Sequence, residues 1–199
     1  MTIRAVYFDL GGVIVRTEYQ APREHLAERL NLTYEDLSKI VFESESARKA
    51  SLGEISTDEH WEAVARRLKQ PVTEAPSIRT EFFAGDVVDR GLLSYIRTLR
   101  PGIKTGVISN AWPDLRDYIV ENKFDDAFDN LIISAEVGVM KPDLKIYQLA
   151  LKQFSVRADE SAFVDDSAAN VQAARSLGMH AILFQDSPQI QTELKALLG

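Results

Sequence analysis

Five short apolar runs, Ala5–Phe8, Thr105–Ile108, Leu131–Ile133, Ala162–Val164 and Ala181–Phe184, punctuate this chain, and the segments between them place apolar residues at helical spacing. Runs this short, without polar alternation, suit strands covered on both faces, which is the condition of a parallel sheet. Parallel neighbours need long crossovers instead of tight turns, and helices usually supply them. Here Leu92, Tyr95, Ile96 and Leu99 follow Asp89, a suitable N-cap. Ile146, Leu149, Ala150 and Phe154 follow Pro142-Asp143, and Val171, Ala174 and Leu177 close on Gly178, a suitable C-cap. The fold class expected is α/β, with a parallel sheet flanked by helices.

The span from about Thr17 to Gly85 breaks this alternation. It contains no convincing strand, but Trp61, Val64, Ala65 and Leu68 sit at i, i+3, i+4 and i+7, behind a Ser56/Glu59 capping box. It reads as an all-helical insert over the sheet, so residues 1–16 and 86–199 form the expected core and 17–85 the insert. A chain of 199 residues, 45% hydrophobic, can bury a core of this kind. The net charge of -7 disfavours nucleic acid and anionic membranes as partners. The lack of cysteine removes disulfides, thiolate metal sites and thiol nucleophiles. His25, His60 and His180 show no metal-ligand spacing. No apolar run approaches membrane-spanning length, and the start MTIRAVYF does not read as a signal peptide, so a cytoplasmic protein is expected.

In an open parallel sheet, ligands bind beyond the carboxyl ends of the strands. The first strand delivers Asp9, followed by Gly11 and Gly12; the second delivers Ser109 and Asn110; the fourth delivers Asp165 and Asp166. Lys141 precedes Pro142 at a helix entrance after the third strand. Taken singly, each has an ordinary structural explanation: Asp9 as a turn residue, Ser109-Asn110 as a turn, Lys141 as a solvated cation, Asp165-Asp166 as caps. Their order, each at a strand end or helix start, is harder to obtain by accident.

FDLGGVIV, ISN, KPDLKIY and FVDDSAANVQAA together resemble the four motifs of the haloacid dehalogenase-like (HAD) hydrolases, in the branch with a helical cap. The resemblance covers almost the whole chain and implies a Rossmann-like core with residues 17–85 as the cap. It also implies that Asp9 is a nucleophile forming an aspartyl-phosphate that water hydrolyses. Mg2+ would be held by Asp9, the Gly11 carbonyl and Asp166, with Asp165 and Asn170 behind them. Ser109, Asn110 and Lys141 would hold the phosphoryl oxygens, and Lys141 would lower the Asp9 pKa. The partner implied is a small phosphorylated metabolite, and the protein is expected as a monomer or homodimer.

The pattern departs from most family phosphatases at Gly11, where a second Asp usually serves as general acid and base. General acid–base help is commonly worth about 10²–10⁴-fold, so its loss matters. A subset resembling sugar-phosphate phosphatases also begins DLG, which favours a phosphatase acting on a leaving group of low pKa, such as an anomeric oxygen. A metal-independent dehalogenase using the same Asp9, and a non-catalytic relative that binds a phosphorylated ligand, are the alternatives. Arg16, Arg48, Lys49, Glu54 and Trp112 are candidates to line the entrance, though for each an ordinary surface or packing role is the simpler reading. Trp61 reads as core, and Arg66-Arg67 and Asp125-Asp126 as solvated faces.

Overall fold

The computed structural model describes residues 2–199. The strands β1 (Ala5–Phe8) and β2 (Val15–Thr17) lead into α1 (Ala21–Arg29), α2 (Tyr34–Phe42), α3 (Glu45–Ser51), α4 (Thr57–Arg67) and α5 (Ala75–Phe83). Then come β3 (Asp86–Val88), α6 (Arg90–Leu99), β4 (Lys104–Ser109), α7 (Leu115–Glu121), β5 (Asn130–Ile133), α8 (Ser134–Val137) and α9 (Leu144–Phe154). The chain ends with β6 (Ser161–Asp165), α10 (Ala168–Ser176), β7 (His180–Leu183) and α11 (Ser187–Leu198). The main sheet is parallel, with strand order β5-β4-β1-β6-β7.

β1 lies at its centre, and its alternation divides the core in two. Val6 and Phe8 face a cluster with Leu92, Ile96, Ile119 and Ile190, whereas Ala5 and Tyr7 face Ile146, Tyr147, Ala150 and Phe163. Burial on both faces explains why these strands read as continuous apolar runs. The anticipated caps form: Asp89 accepts from the Leu92 amide at 2.8 Å and Asp143 from the Lys145 amide at 2.9 Å. Gly178, at φ 91°, follows α10 in the left-handed conformation that glycine adopts without strain.

The helices α1–α5 enclose a separate apolar cluster containing Leu26, Leu37, Val41, Trp61, Val64, Ile78 and Phe82. The capping box of α4 is present, with Ser56 accepting from the Glu59 amide and Glu59 accepting from the Ser56 amide. A short antiparallel ribbon, β2 with β3, joins the two ends of this helical segment; the sequence reading lacks it because three residues a side carry no periodicity. Gly85 is required here, because a Cβ would meet the Tyr19 carbonyl oxygen at 1.8 Å.

The helical segment rests on loops that follow β4 and β5. Thr57 donates to Asp114 at 2.8 Å, and Arg79 pairs with the same carboxylate. Gly53, at φ 72°, lies against the Ala135 carbonyl, which a Cβ would approach to 2.1 Å. These contacts put the helices at the carboxyl edge of the sheet, the edge to which β1 delivers Asp9.

Candidate active site

β1 ends where its ladder with β6 still holds: the Asp9 amide donates to the Val164 carbonyl at 2.8 Å. The side chain of Asp9 therefore leaves the sheet from a rigid position. Its Oδ1 accepts from the Leu10 amide at 2.7 Å, and its Oδ2 lies 2.8 Å from Lys141 Nζ. The next residues curl tightly, with the amides of Val13, Ile14 and Val15 all turned toward the Leu10 carbonyl. None of these bonds occupies the Gly11 carbonyl.

Lys141 is buried and bridges two carboxylates, since its Nζ also lies 2.6 Å from Asp165 Oδ2. Asp165 is wholly buried and saturated: its Oδ1 accepts from the Ser167 amide at 2.8 Å and from Asn170 Nδ2 at 3.0 Å. A buried charge with this many partners is tolerable where an unpaired one is not. The backbone of Lys141 is fixed in turn by Asn110, which accepts from its amide at 2.7 Å and donates to its carbonyl at 2.9 Å. Ser109, buried at the end of β4, stands one residue before this clamp. The neighbouring Ala111 amide donates to Ser134 Oγ at 3.0 Å.

Asp166 is the open member of the acidic group. Carboxylate oxygens of Asp9, Asp165 and Asp166 lie within 4.8 Å of one another, a set of hard donors that suits Mg2+. The carboxylate of Asp166 lies directly over Gly12: a Cβ there would meet Oδ2 at 2.1 Å, and Gly12 has φ 79°. Burial outweighs the pull of Lys141 on Asp9, so its pKa is pushed up to about 6, with the charge of Asp165 adding to the rise. Burial, followed by repulsion from Asp165, also raises Asp166.

Several expectations change against this geometry. Asp9, Lys141, Asp165, Asp166 and Asn170 are brought together, and Ser109 and Asn110 stand beside them. Lys141 does not lower the Asp9 pKa overall, because removal from water costs the carboxylate more than one cation returns. Both ends of the Asn110 side chain hold the Lys141 backbone, which leaves phosphoryl contact at this position to the backbone amide. Asp165 shares Lys141 with Asp9, so within the pair Asp165-Asp166 it is Asp166 that stands without a cation. Only Gly12, not Gly11, needs to be glycine: a Cβ at Gly11 meets nothing within 4 Å.

Of the entrance candidates, Arg16 is committed to Asp89 and the Val13 carbonyl, while Lys49 pairs with Glu45 on the helical segment. Lys49 lines a cavity of about 920 Å³ between α2, α3 and α4, together with Lys39, Glu43 and Arg66, away from the acidic group. Arg48 and Glu54 are exposed. Trp61 is core as expected; Asp126 and Arg66 are exposed and pair with Arg97 and Glu62. His60 is buried in the helical segment, and its position on the apolar face of α4, beside Trp61, was the available signal.

The family model for a hydrolase, the haloacid dehalogenase-like hydrolase, matches residues 3–178. The chain belongs to the haloacid dehalogenase-like hydrolases. This HAD-like hydrolase is 28% identical to the sesquiterpene phosphatase astK of Aspergillus oryzae over 200 residues, covering 100% of this chain and 98% of that protein. It is 30% identical to the drimenol cyclase drtB of Aspergillus calidoustus, of which it spans 37%. It is 24% identical to the D-ribitol-5-phosphate phosphatase of Bacteroides thetaiotaomicron, with 99% of each chain covered. In fold it is similar to a HAD family enzyme of Bacteroides thetaiotaomicron solved with magnesium and inorganic phosphate, at a TM-score of 0.78, 19% identity and coverage of 92% and 94%. It also shares the fold of an L-2-haloacid dehalogenase, at a TM-score of 0.75, 20% identity and coverage of 98% and 100%. Among the described residues, no helix is long and apolar enough to cross a membrane.

Proposed function

We propose that this HAD-like hydrolase is a Mg2+-dependent phosphatase acting on a small organic phosphate monoester, with Asp9 as nucleophile. The observation that carries this reading is the arrangement of charge: Lys141 joins Asp9 to Asp165, while Asp166 is left open over Gly12. A phosphoryl group beside Asp9 would meet the Lys141 ammonium, the Ser109 hydroxyl and the Asn110 amide. Asp9, Asp166 and the Gly11 carbonyl would hold the ion, which when bound neutralises phosphoryl charge. We propose residues 17–85 as the cap that closes this edge of the sheet.

An Asp9 carboxylate oxygen attacks phosphorus, the bond from phosphorus to the ester oxygen breaks, and the departing alkoxide takes a proton from water. A second water then attacks phosphorus, the bond to Asp9 breaks, inorganic phosphate leaves and the carboxylate is restored. Lys141 stabilises the charge spread over the phosphoryl oxygens in both steps. Asn110 and Asp165 act through Lys141, one fixing its backbone and the other its ammonium.

Phosphate relatives of unlike substrates support the reaction class more than any one substrate: one is named for a sesquiterpene, another for D-ribitol 5-phosphate. The sugar-phosphate reading suggested by the DLG motif belongs among the substrates to be tried. Phosphate release from a panel of monoesters, with Mg2+ and with chelator, tests the proposal, with Asp9→Asn as control. Steady Mg2+-dependent release that Asp9→Asn abolishes is expected. Halide release from 2-haloacids in chelator would replace it with the dehalogenase reading, and binding of phosphate esters without turnover with the non-catalytic one.

A further inference from the structure

The loop that follows Ser109 and Asn110 carries an aromatic residue toward the helical segment. Trp112 leaves the loop after β4 only two residues beyond Asn110, so their Cα atoms are at most about 7.6 Å apart. Its ring does not pack into the sheet. It enters the helical segment, 4.4 Å from His60, 5.8 Å from Trp61 and 6.2 Å from Phe83, and stacks on Phe42 with centroids 6.2 Å apart. Phe42 is 49% exposed although it sits at the end of α2 among aromatic neighbours, and Phe83 and Trp112 are half-buried.

The cations nearest these rings are paired, Arg79 with Asp114 and Arg23 with Asp86. Burial pushes the His60 imidazole down to about 4, so it is neutral near pH 7. The guanidinium of Arg23, 4.0 Å above the Phe82 ring, is itself buried and committed to Asp86 and the Phe82 carbonyl. Apolar surface joined through a short loop to a polar catalytic group is the ordinary composition of a ligand site. A polyol seated there would lose water from its hydroxyls against phenyl rings that return no hydrogen bond.

We infer that Phe42, Phe83 and Trp112 seat the leaving group, and that the substrate is the phosphate monoester of a lipophilic alcohol. This deepens the phosphatase reading and rests on it. The alcohol is released with its apolar body on these rings, while its phosphate is held by Lys141 and the acidic group.

Binding separates this inference from turnover. Titrate the protein in Mg2+ with n-alkylphosphonates from methyl to octyl by calorimetry, and follow phosphate release from octyl phosphate and ribose 5-phosphate in parallel. Affinity is expected to rise about two- to fourfold per methylene. Phe42→Ala and Trp112→Ala should flatten that rise, lowering the octyl-to-methyl ratio by about tenfold. Phe42 is half exposed, so its variant carries the test if Trp112→Ala does not fold. A series that is flat in the wild type, or equally steep in Phe42→Ala, overturns the inference. Phosphate release with a flat series would leave the phosphatase reading standing alone, and a rising series without phosphate release would sink that reading and keep the apolar subsite.

Discussion

Asn110 holds both backbone groups of Lys141, accepting from its amide at 2.7 Å and donating to its carbonyl at 2.9 Å. The clamp joins the loop after β4 to the residue whose ammonium touches Asp9 and Asp165. It fixes the backbone from which the Lys141 side chain reaches the two carboxylates, and a positioned charge is what electrostatic stabilisation of a phosphoryl group requires.

Asn110→Ala should therefore lower kcat by about 10- to 100-fold with little change in Mg2+ affinity, because the backbone that carries Lys141 loses its anchor while the acidic group keeps its own contacts. Steady-state kinetics alongside a Mg2+ titration checks both halves. An unchanged kcat would mean that Lys141 is fixed without the clamp.

Lys141→Ala should be costly to the fold as well as to catalysis. It leaves Asp9 and Asp165 buried without their shared cation, and breaking a buried pair in this way typically costs about 3–5 kcal/mol. Urea denaturation of the metal-free protein measures this cost. It should be greater at neutral pH than in mild acid, where Asp9 can take up a proton.

Gly12→Ala and Gly11→Ala should behave differently. At position 12 a Cβ meets Asp166 Oδ2 at 2.1 Å from a φ of 79°, so Mg2+ binding and activity should fall together. At position 11 nothing lies within 4 Å, so the alanine variant should fold and bind Mg2+ normally. The same opening admits Gly11→Asp, which should raise kcat for alkyl phosphates by about tenfold or more while helping aryl phosphates less, because phenols need less protonation on leaving.

Asp9 gives the pH dependence its sign. Its pKa rises on folding from 3.8 to about 6, so the folded state binds the proton more tightly than the unfolded chain. That contribution to stability is fully present below the unfolded pKa and is lost as the pH rises through about 6. Asp9→Asn should accordingly raise the thermal midpoint of the metal-free protein at about pH 7.5, by about 2–4 °C for each kcal/mol relieved, and not at about pH 4. Differential scanning calorimetry at the two pH values decides it.

Much of this was legible from residue order alone. Strands buried on both faces must be apolar throughout, so β1, β4, β5, β6 and β7 stand out, and the helices between them carry their own caps. A parallel sheet can place Asp9, Ser109, Lys141 and Asp165-Asp166 only at one edge, which is why their succession pointed to chemistry. The ribbon β2–β3 was not legible, because pairing of three residues depends on a partner that lies beyond the whole helical segment in the chain.

The sequence by itself determined the elements, the edge on which polar groups gather, and the identity of the acids, because these follow from periodicity and local hydrogen bonding. Tertiary structure alone decided how the charges divide: Asp9 and Asp165 share Lys141, Asn110 holds a backbone, Asp166 stays open, and burial lifts Asp9. It also decided that Trp112 turns toward the aromatic helices. Burial, distance and desolvation are properties of the packed molecule, and residues far apart in the chain acquire them only when they meet.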